Sequence, residues 1–167
     1  MSKNLLEWSY QNGKKVKYMA FVVVKGLRKR HHQEVTQYLY NLQRYLKINR
    51  LNSKTIYLTF KRRVDGDAMG YCSGDHKSVQ IEIAKIGWEF EDMMIALAHE
   101  MVHAKQFFRK ELVDGYMYKG RNYWECVYEH QPWEKSAYAL ENKLYNACWI
   151  ECTKKHAIIC KKHCTFS

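Results

Sequence analysis

Proline occurs once, at Pro132, in a chain of 167 residues, and no stretch rich in Pro, Gly or Ser divides it. A flexible or polyproline linker is therefore excluded, which argues for one folded domain. Long hydrophobic runs are missing too. The longest, Tyr18 to Val24, falls far short of the roughly 20 residues that a bilayer-spanning helix needs, and Lys25, Arg28, Lys29 and Arg30 follow it at once. It reads as neither a membrane span nor a signal peptide. Acidic residues are scarce beside basic ones, 17 Asp+Glu against 28 Lys+Arg, for a formal net charge of +11. No internal repeat is present.

What is there describes a soluble domain with a core. Hydrophobic residues make up 47% of the chain, which excludes disorder for most of it, and a chain of about 150 residues buries roughly 68–70% of its unfolded surface without disulfide staples. Four of the six cysteines crowd into the last 20 residues. With no secretion signal they read as reduced thiols, which places the chain in a cytoplasm, that of the host if the chain is viral, and not outside the cell. The charge is uneven: residues 1–50 hold 11 Lys/Arg and 2 Asp/Glu, and residues 151–167 hold 4 and 1. Basic ends of this kind either track phosphates or form a solubilising surface.

Residue periods give the elements. From Glu34 to Ile48 the apolar Val35, Tyr38, Leu39, Leu42, Tyr45 and Leu46 recur at three- and four-residue steps, one face of an amphipathic helix. Alternation then takes over at Ile56, Leu58 and Phe60, and again at Val79, Ile81 and Ile83, predicting two strands joined by a hairpin-like excursion through Gly70-Tyr71-Cys72. A long helical pattern runs from Phe90 to Leu112 and ends at Asp114-Gly115. After a loop rich in tyrosine, Pro132 opens a last helix bearing Trp133, Ala137, Leu140, Leu144 and Cys148 on one side. The expected fold class is α+β: an N-terminal helix, a small β-sheet, a long central helix and a C-terminal helix. The expected divisions are a basic segment 1–33, a folded domain 34–149 and a basic Cys/His-rich tail 150–167.

The central helix contains His99-Glu100-Met101-Val102-His103, the pattern H-E-x-x-H. Residues four apart share a helix face, so both imidazoles can converge on one metal ion, and the intervening Glu can take a proton from a water there. That is the layout of a zinc hydrolase, in which Zn²⁺ activates a water and Glu100 is the general base. Such a site needs a third protein ligand. Glu134 is best placed, in the first turn of the last helix, with His130 and Glu141 as alternatives. Tyr116, Tyr118, Tyr123, Tyr128, Tyr138 and Arg121 lie in the region where an oxyanion stabiliser is expected; Tyr138 and Tyr128 are the leading candidates.

Gly70-Tyr71-Cys72 ahead of the strand with Ile81 and Ile83, together with Leu97 through Gln106, resembles the SprT-like zinc metallopeptidase domains of the wider zincin fold. The resemblance covers roughly residues 35–145. It implies a zincin-like domain with Zn²⁺ on His99 and His103, Glu100 as general base, and a protease that in some relatives acts on proteins attached to DNA. SprT-like domains supply a third histidine soon after the motif, whereas here none occurs until His130. Trp124 and Pro132-Trp133-Glu134 with Ala137-Tyr138 instead resemble small phage and bacterial H-E-x-x-H proteins with a glutamate as third ligand. In the tail, Cys148, Cys152, Cys160 and Cys164 are spaced as C-x3-C or wider rather than C-x2-C. That favours a reduced thiol-bearing segment over a second, structural zinc at these four cysteines.

The leading expectation is a zinc metalloendopeptidase acting on protein or peptide, with DNA as a candidate partner through the basic termini and no membrane involvement. The alternatives are a metal-stabilised nucleic-acid-binding protein and an inactive zincin-like adaptor.

Overall fold

A computed structural model of the chain describes residues 6–7, 10–11, 14–15, 20–48 and 53–150. Ten strands and three α-helices are formed among them: β1 (Leu6–Glu7), β2 (Tyr10–Gln11), β3 (Lys14–Lys15), β4 (Phe21–Lys25), α1 (His32–Tyr45), β5 (Thr55–Lys61), β6 (Gly70–Gly74), β7 (Ser78–Ala84), α2 (Phe90–Phe108), β8 (Leu112–Val113), β9 (Met117–Tyr118), β10 (Arg121–Asn122) and α3 (Pro132–Tyr145). The fold class is α+β. None of the described helices is long and apolar enough to cross a membrane.

The main sheet has the order β1-β4-β5-β7-β6. Its three inner strands are parallel, with Val24 opposite Leu58 and Leu58 opposite Ile81, and both edge strands run antiparallel to their neighbours. The strands at Ile56 and Val79 are therefore not the two arms of one excursion. They lie side by side in the same direction, and the hairpin is the β6–β7 pair, with Cys72 opposite Ile81. Parallel neighbours need a crossover, and α1 supplies it between β4 and β5. The inclusion of β4 also moves the start of the folded domain ahead of residue 34, because Phe21–Lys25 is an inner strand of the sheet.

One sheet face carries Val22, Val24, Ile56, Leu58, Phe60, Val79, Ile81 and Ile83. These close on Val35, Tyr38, Leu39 and Leu42 of α1 and on Met94, Leu97 and Met101 of α2 in a continuous core. Burying a side chain of this size stabilises by about 1.5–3 kcal/mol. Tyr38, fully buried, directs its hydroxyl to the Met94 carbonyl at 3.0 Å and so ties α1 to α2.

Residues 96–104 of α2 are all buried, as for a helix surrounded by protein. A capping box starts the helix: Glu89 accepts from the backbone N–H of Asp92, and Asp92 accepts from the N–H of Glu89 at 3.2 Å. It ends at Phe108 rather than Leu112, since Lys110 takes φ 58° and Glu111 N–H returns to the Gln106 carbonyl at 2.8 Å. The left-handed residue that closes the helix is thus Lys110, ahead of Asp114-Gly115. Leu112–Val113, expected at the helix end, and residues 117–122, expected as loop, form the three-stranded sheet β10-β9-β8. After α3 the chain continues through a π-helical turn, Asn146–Ile150, which buries Cys148 and Trp149 in the core. Cys152, Cys160 and Cys164 lie outside the described residues.

Candidate metal centre

His99 and His103 occupy successive turns of α2 with Glu100 next to His99, and Glu134 is the third residue of α3, behind Pro132 and Trp133. The two helices pack together, which carries Glu134 onto the histidines. His99 Nε2 lies 3.1 Å from Glu134 Oε2, and His103 Nε2 lies 3.3 Å from Glu134 Oε1. Ligand atoms of these three buried residues all fall within 4.8 Å of one another.

The far nitrogens are fixed by other partners. His99 Nδ1 donates to Glu141 Oε2 at 2.8 Å. His103 Nδ1 faces Gln106 Oε1 at 2.9 Å, and the Gln106 amide N–H is committed to the Trp133 carbonyl at 3.2 Å. A carboxylate and an amide oxygen only accept, so both Nδ1 atoms carry protons. Both Nε2 atoms then point at an ionised carboxylate. Either protons on Nε2 or a shared cation must relieve the meeting of lone pairs. Two imidazoles and one carboxylate, each oriented by an outer partner, form a donor set that suits Zn²⁺ with one coordination position left over.

The electrostatics follow from burial and crowding. Burial pushes Glu100 up to about 7, the two imidazoles pulling the other way and the Glu134 and Glu141 carboxylates adding to the rise. A carboxyl poised there can both take and return a proton near neutrality. Burial also disfavours the charged form of Glu134, but hydrogen bonds from His103, His99 and Tyr128 outweigh it and hold this carboxyl well below its usual range. For His99, burial opposes the positive charge, while Glu134, Glu100 and Glu141 overcome that and raise its pKa.

The sequence candidates separate clearly in space. Glu134 joins the two histidines. Glu141, two turns further along α3, meets the opposite nitrogen of His99 and so orients that imidazole rather than joining the cluster. His130 ends an exposed 3-10 turn, Tyr128–His130, and is not part of the cluster. Tyr128 directs its hydroxyl to Glu134 Oε2 at 2.7 Å and lines the cleft, while the Tyr138 ring packs edge-on against His99 at 4.6 Å. Burial first, then its bonds to Tyr138 and Glu134, raise the Tyr128 pKa, so its hydroxyl stays protonated. Tyr116, Tyr118 and Tyr123 pack on Trp124 or Trp133, and Arg121 is exposed in β10. Gln106 was not singled out from sequence, although it sits three residues past His103 on the same helix face.

Glu100, His103 and Glu134 open into a cleft of about 470 Å³. Edge strand β6 walls one side, and Phe107, Leu112 and Trp133 give it an apolar lining.

Positive charge collects on a second face, where the three parallel strands end. Lys25, Lys61 and Lys85 mark those ends, and the loops add Arg28, Lys29 and Arg30 after β4 and Arg62 and Arg63 after β5, all exposed. The loops are tied together: Lys85 Nζ donates to the Gly26 carbonyl at 3.1 Å, and Ile86 N–H to the Arg62 carbonyl at 3.1 Å. Two of these cations are already paired, Lys61 with Glu82 and Arg63 with Asp67 at 3.8 Å; Asp65 and Glu89 are the other carboxylates of these loops, and Glu89 is engaged in the α2 cap. A hollow of about 250 Å³ between Arg63, Ile86 and Trp88 opens here, and Ala68 lines both it and the cleft at Glu100. Charges that the sequence assigned to the N-terminal segment thus join charges from residues 61–85.

Compared with protein-family models, curated proteins and solved structures, the chain matches none.

Proposed function

We propose that this protein is a zinc-dependent endopeptidase of SprT-like type. The observation that carries the reading is the convergence of His99 Nε2, His103 Nε2 and the Glu134 carboxylate, with His103, Glu134 and the buried Glu100 lining an open cleft. Zn²⁺ held by these three residues would supply Lewis acidity, lowering the pKa of a water toward 7 and polarising a carbonyl. Glu100 takes the proton of the water that adds to the peptide carbonyl and delivers it to the departing amine nitrogen as the C–N bond breaks. Products are one carboxylate and one amine. Tyr128, whose one hydroxyl proton goes to Glu134 Oε2, lines the cleft and would donate to the developing oxyanion on releasing that bond. Glu141 and Gln106 keep the two imidazoles turned toward the centre.

The test compares wild type with Glu100→Gln after zinc loading, on an unfolded protein substrate, with and without single-stranded DNA. Retained zinc with cleavage reduced at least about 100-fold in the variant supports the reading. Absence of cleavage by wild type under every condition contradicts it.

The basic face favours a second property, contact with single-stranded nucleic acid beside the cleft. Lys and Arg from three loops would pair with phosphates, and Trp88, 39% exposed, offers a stacking surface. If four of these cations contact phosphates, affinity should fall by about 50-fold between 50 and 200 mM salt. Binding to a labelled oligonucleotide that is unaffected by Arg62→Glu/Arg63→Glu would remove this reading and leave the peptidase untouched.

A further inference from the structure

Gly70 is the first residue of edge strand β6, opposite Ile83 of β7, and this strand packs on α2. Its backbone is not in the left-handed region that demands glycine; among the described residues the glycines with positive φ are Gly26, Gly66, Gly74, Gly87, Gly115 and Gly120. Glycine in a strand is otherwise a weak choice, with no side chain to pack and extra backbone entropy to lose. The reason for its presence lies across the gap. A Cβ at position 70 would stand 2.6 Å from Glu100 Oε1, 2.9 Å from Glu100 Cγ and 3.1 Å from Glu100 Cδ. The carboxyl group of Glu100 occupies the space that any other residue would fill.

We infer that Gly70 is a positioning residue for Glu100: by withholding a side chain it lets the carboxyl lie against the backbone of the edge strand, at the wall of the cleft. Tyr71, 56% exposed, faces away, and Cys72, two residues on, returns to the α2 side and packs on the core. The strand therefore meets the helix through two small positions, Gly70 and Cys72, and Gly70 is the one that lies against the Glu100 carboxyl. Adding one methyl at residue 70 must displace either the strand or the Glu100 carboxyl, and the end of a flexible side chain yields first. His99, His103 and Glu134 are not among the atoms nearest to that methyl, so metal affinity should hold while proton transfer suffers. The catalytic part rests on the peptidase reading; the packing part does not.

The experiment is a double-mutant cycle in the full-length, zinc-loaded protein, comparing wild type, Gly70→Ala, Glu100→Ala and the double variant. Thermal unfolding is read first. Gly70→Ala should lower the melting temperature when residue 100 is Glu, and leave it equal or raise it when residue 100 is Ala, where the space is free. Failure of Gly70→Ala to fold only in the Glu100 background supports the same conclusion. An equal loss in both backgrounds, or failure to fold in both, overturns the inference, because Gly70 would then serve the sheet alone. Cleavage kinetics are read second. A displacement near 1 Å should cost about 100-fold in kcat, with KM and zinc affinity within about twofold of wild type; the loss should shrink in a Glu100→Asp background, whose shorter side chain leaves room. A fall in zinc affinity matching the fall in kcat overturns it. If wild type cleaves nothing, the peptidase reading fails while the melting cycle still decides for or against the packing of Gly70 on Glu100.

Discussion

If the proposed centre holds zinc, replacing Glu141 separates a residue that binds the ion from one that aims a ligand. Its Oε2 accepts from His99 Nδ1 at 2.8 Å, while Glu134 faces the Nε2 side of the same ring at 3.1 Å. A hydrogen bond to a charged group contributes about 1.5–3 kcal/mol. Loss of an outer partner of a metal-bound histidine typically lowers metal affinity by about 10- to 100-fold, or about 1.4–2.7 kcal/mol, so the two estimates agree. Glu141→Gln keeps an acceptor oxygen and loses the charge, so about a 10-fold weakening is expected; Glu141→Ala loses both and should approach 100-fold. Glu134→Ala removes a donor from the cluster itself. If zinc binding of about 10–16 kcal/mol is shared over four ligands, roughly 2.5–4 kcal/mol goes with it, about 70- to 900-fold. Competition with a fluorescent chelator at neutral pH, with the metal-free melting temperature of each variant as control, gives the ranking. Wild type should bind tightest, then Glu141→Gln, Glu141→Ala and Glu134→Ala. A Glu141→Ala variant weaker than Glu134→Ala would exchange the roles of the two carboxylates and refute the reasoning.

Three further outcomes are expected. Leu58, fully buried at the centre of the parallel strands, should cost about 2–5 kcal/mol on replacement by Ala. At about 2–4 °C per kcal/mol for a chain of this size, the melting temperature falls by at least roughly 4 °C, and a smaller fall contradicts the placement of β5. Asp75 accepts from the backbone N–H groups of Ser78 and Lys77, which hold its pKa below the ordinary value. A depressed carboxyl stabilises the fold above its unfolded pKa of about 3.9 and loses that contribution as pH falls through the folded value. Wild type should therefore lose more stability than Asp75→Asn on acidification below about pH 4, and parallel curves would contradict the turn. At Cys72, burial first, then the Glu100 and Glu134 charges, raise the thiol pKa well above its usual value. Alkylation followed by mass spectrometry should label it more slowly than Cys126 at pH 7, and equal rates would contradict its packing.

Legibility in the sequence followed the strength of local patterns. α1 and α3 announce themselves by a 3.6-residue period and by Pro132, and β5 and β7 by alternation, because each has one buried and one exposed face. β4 shows no period. Val22, Val23 and Val24 are all buried, so an inner parallel strand reads as a plain apolar run, and its place in the sheet emerges only from pairing with β5. β6 is equally silent: Gly70-Tyr71-Cys72-Ser73-Gly74 has little strand propensity, and the ladder to β7 makes it a strand. At the centre, the spacing of His99, Glu100 and His103 was legible because one helix turn fixes it. Glu134 was reachable through Pro132, which sets where α3 begins. The distinction between Glu134 and Glu141 was not, since both lie on one face of α3 and only the way α3 packs on α2 decides which side of the His99 ring each meets. The convergence of Lys25, Arg62, Arg63 and Lys85 was hidden for a related reason, since strand order brings together residues up to 60 apart.

The most direct test is a crystal structure of the zinc-loaded protein with anomalous scattering recorded at the zinc edge. One ion is predicted between α2 and α3, about 2.0–2.1 Å from His99 Nε2 and His103 Nε2 and about 2.0–2.2 Å from a carboxylate oxygen of Glu134, with the remaining position facing the cleft. An ion that takes Glu141 or His130 in place of Glu134, or no ion on His99 and His103 in protein shown to contain zinc, would contradict the account.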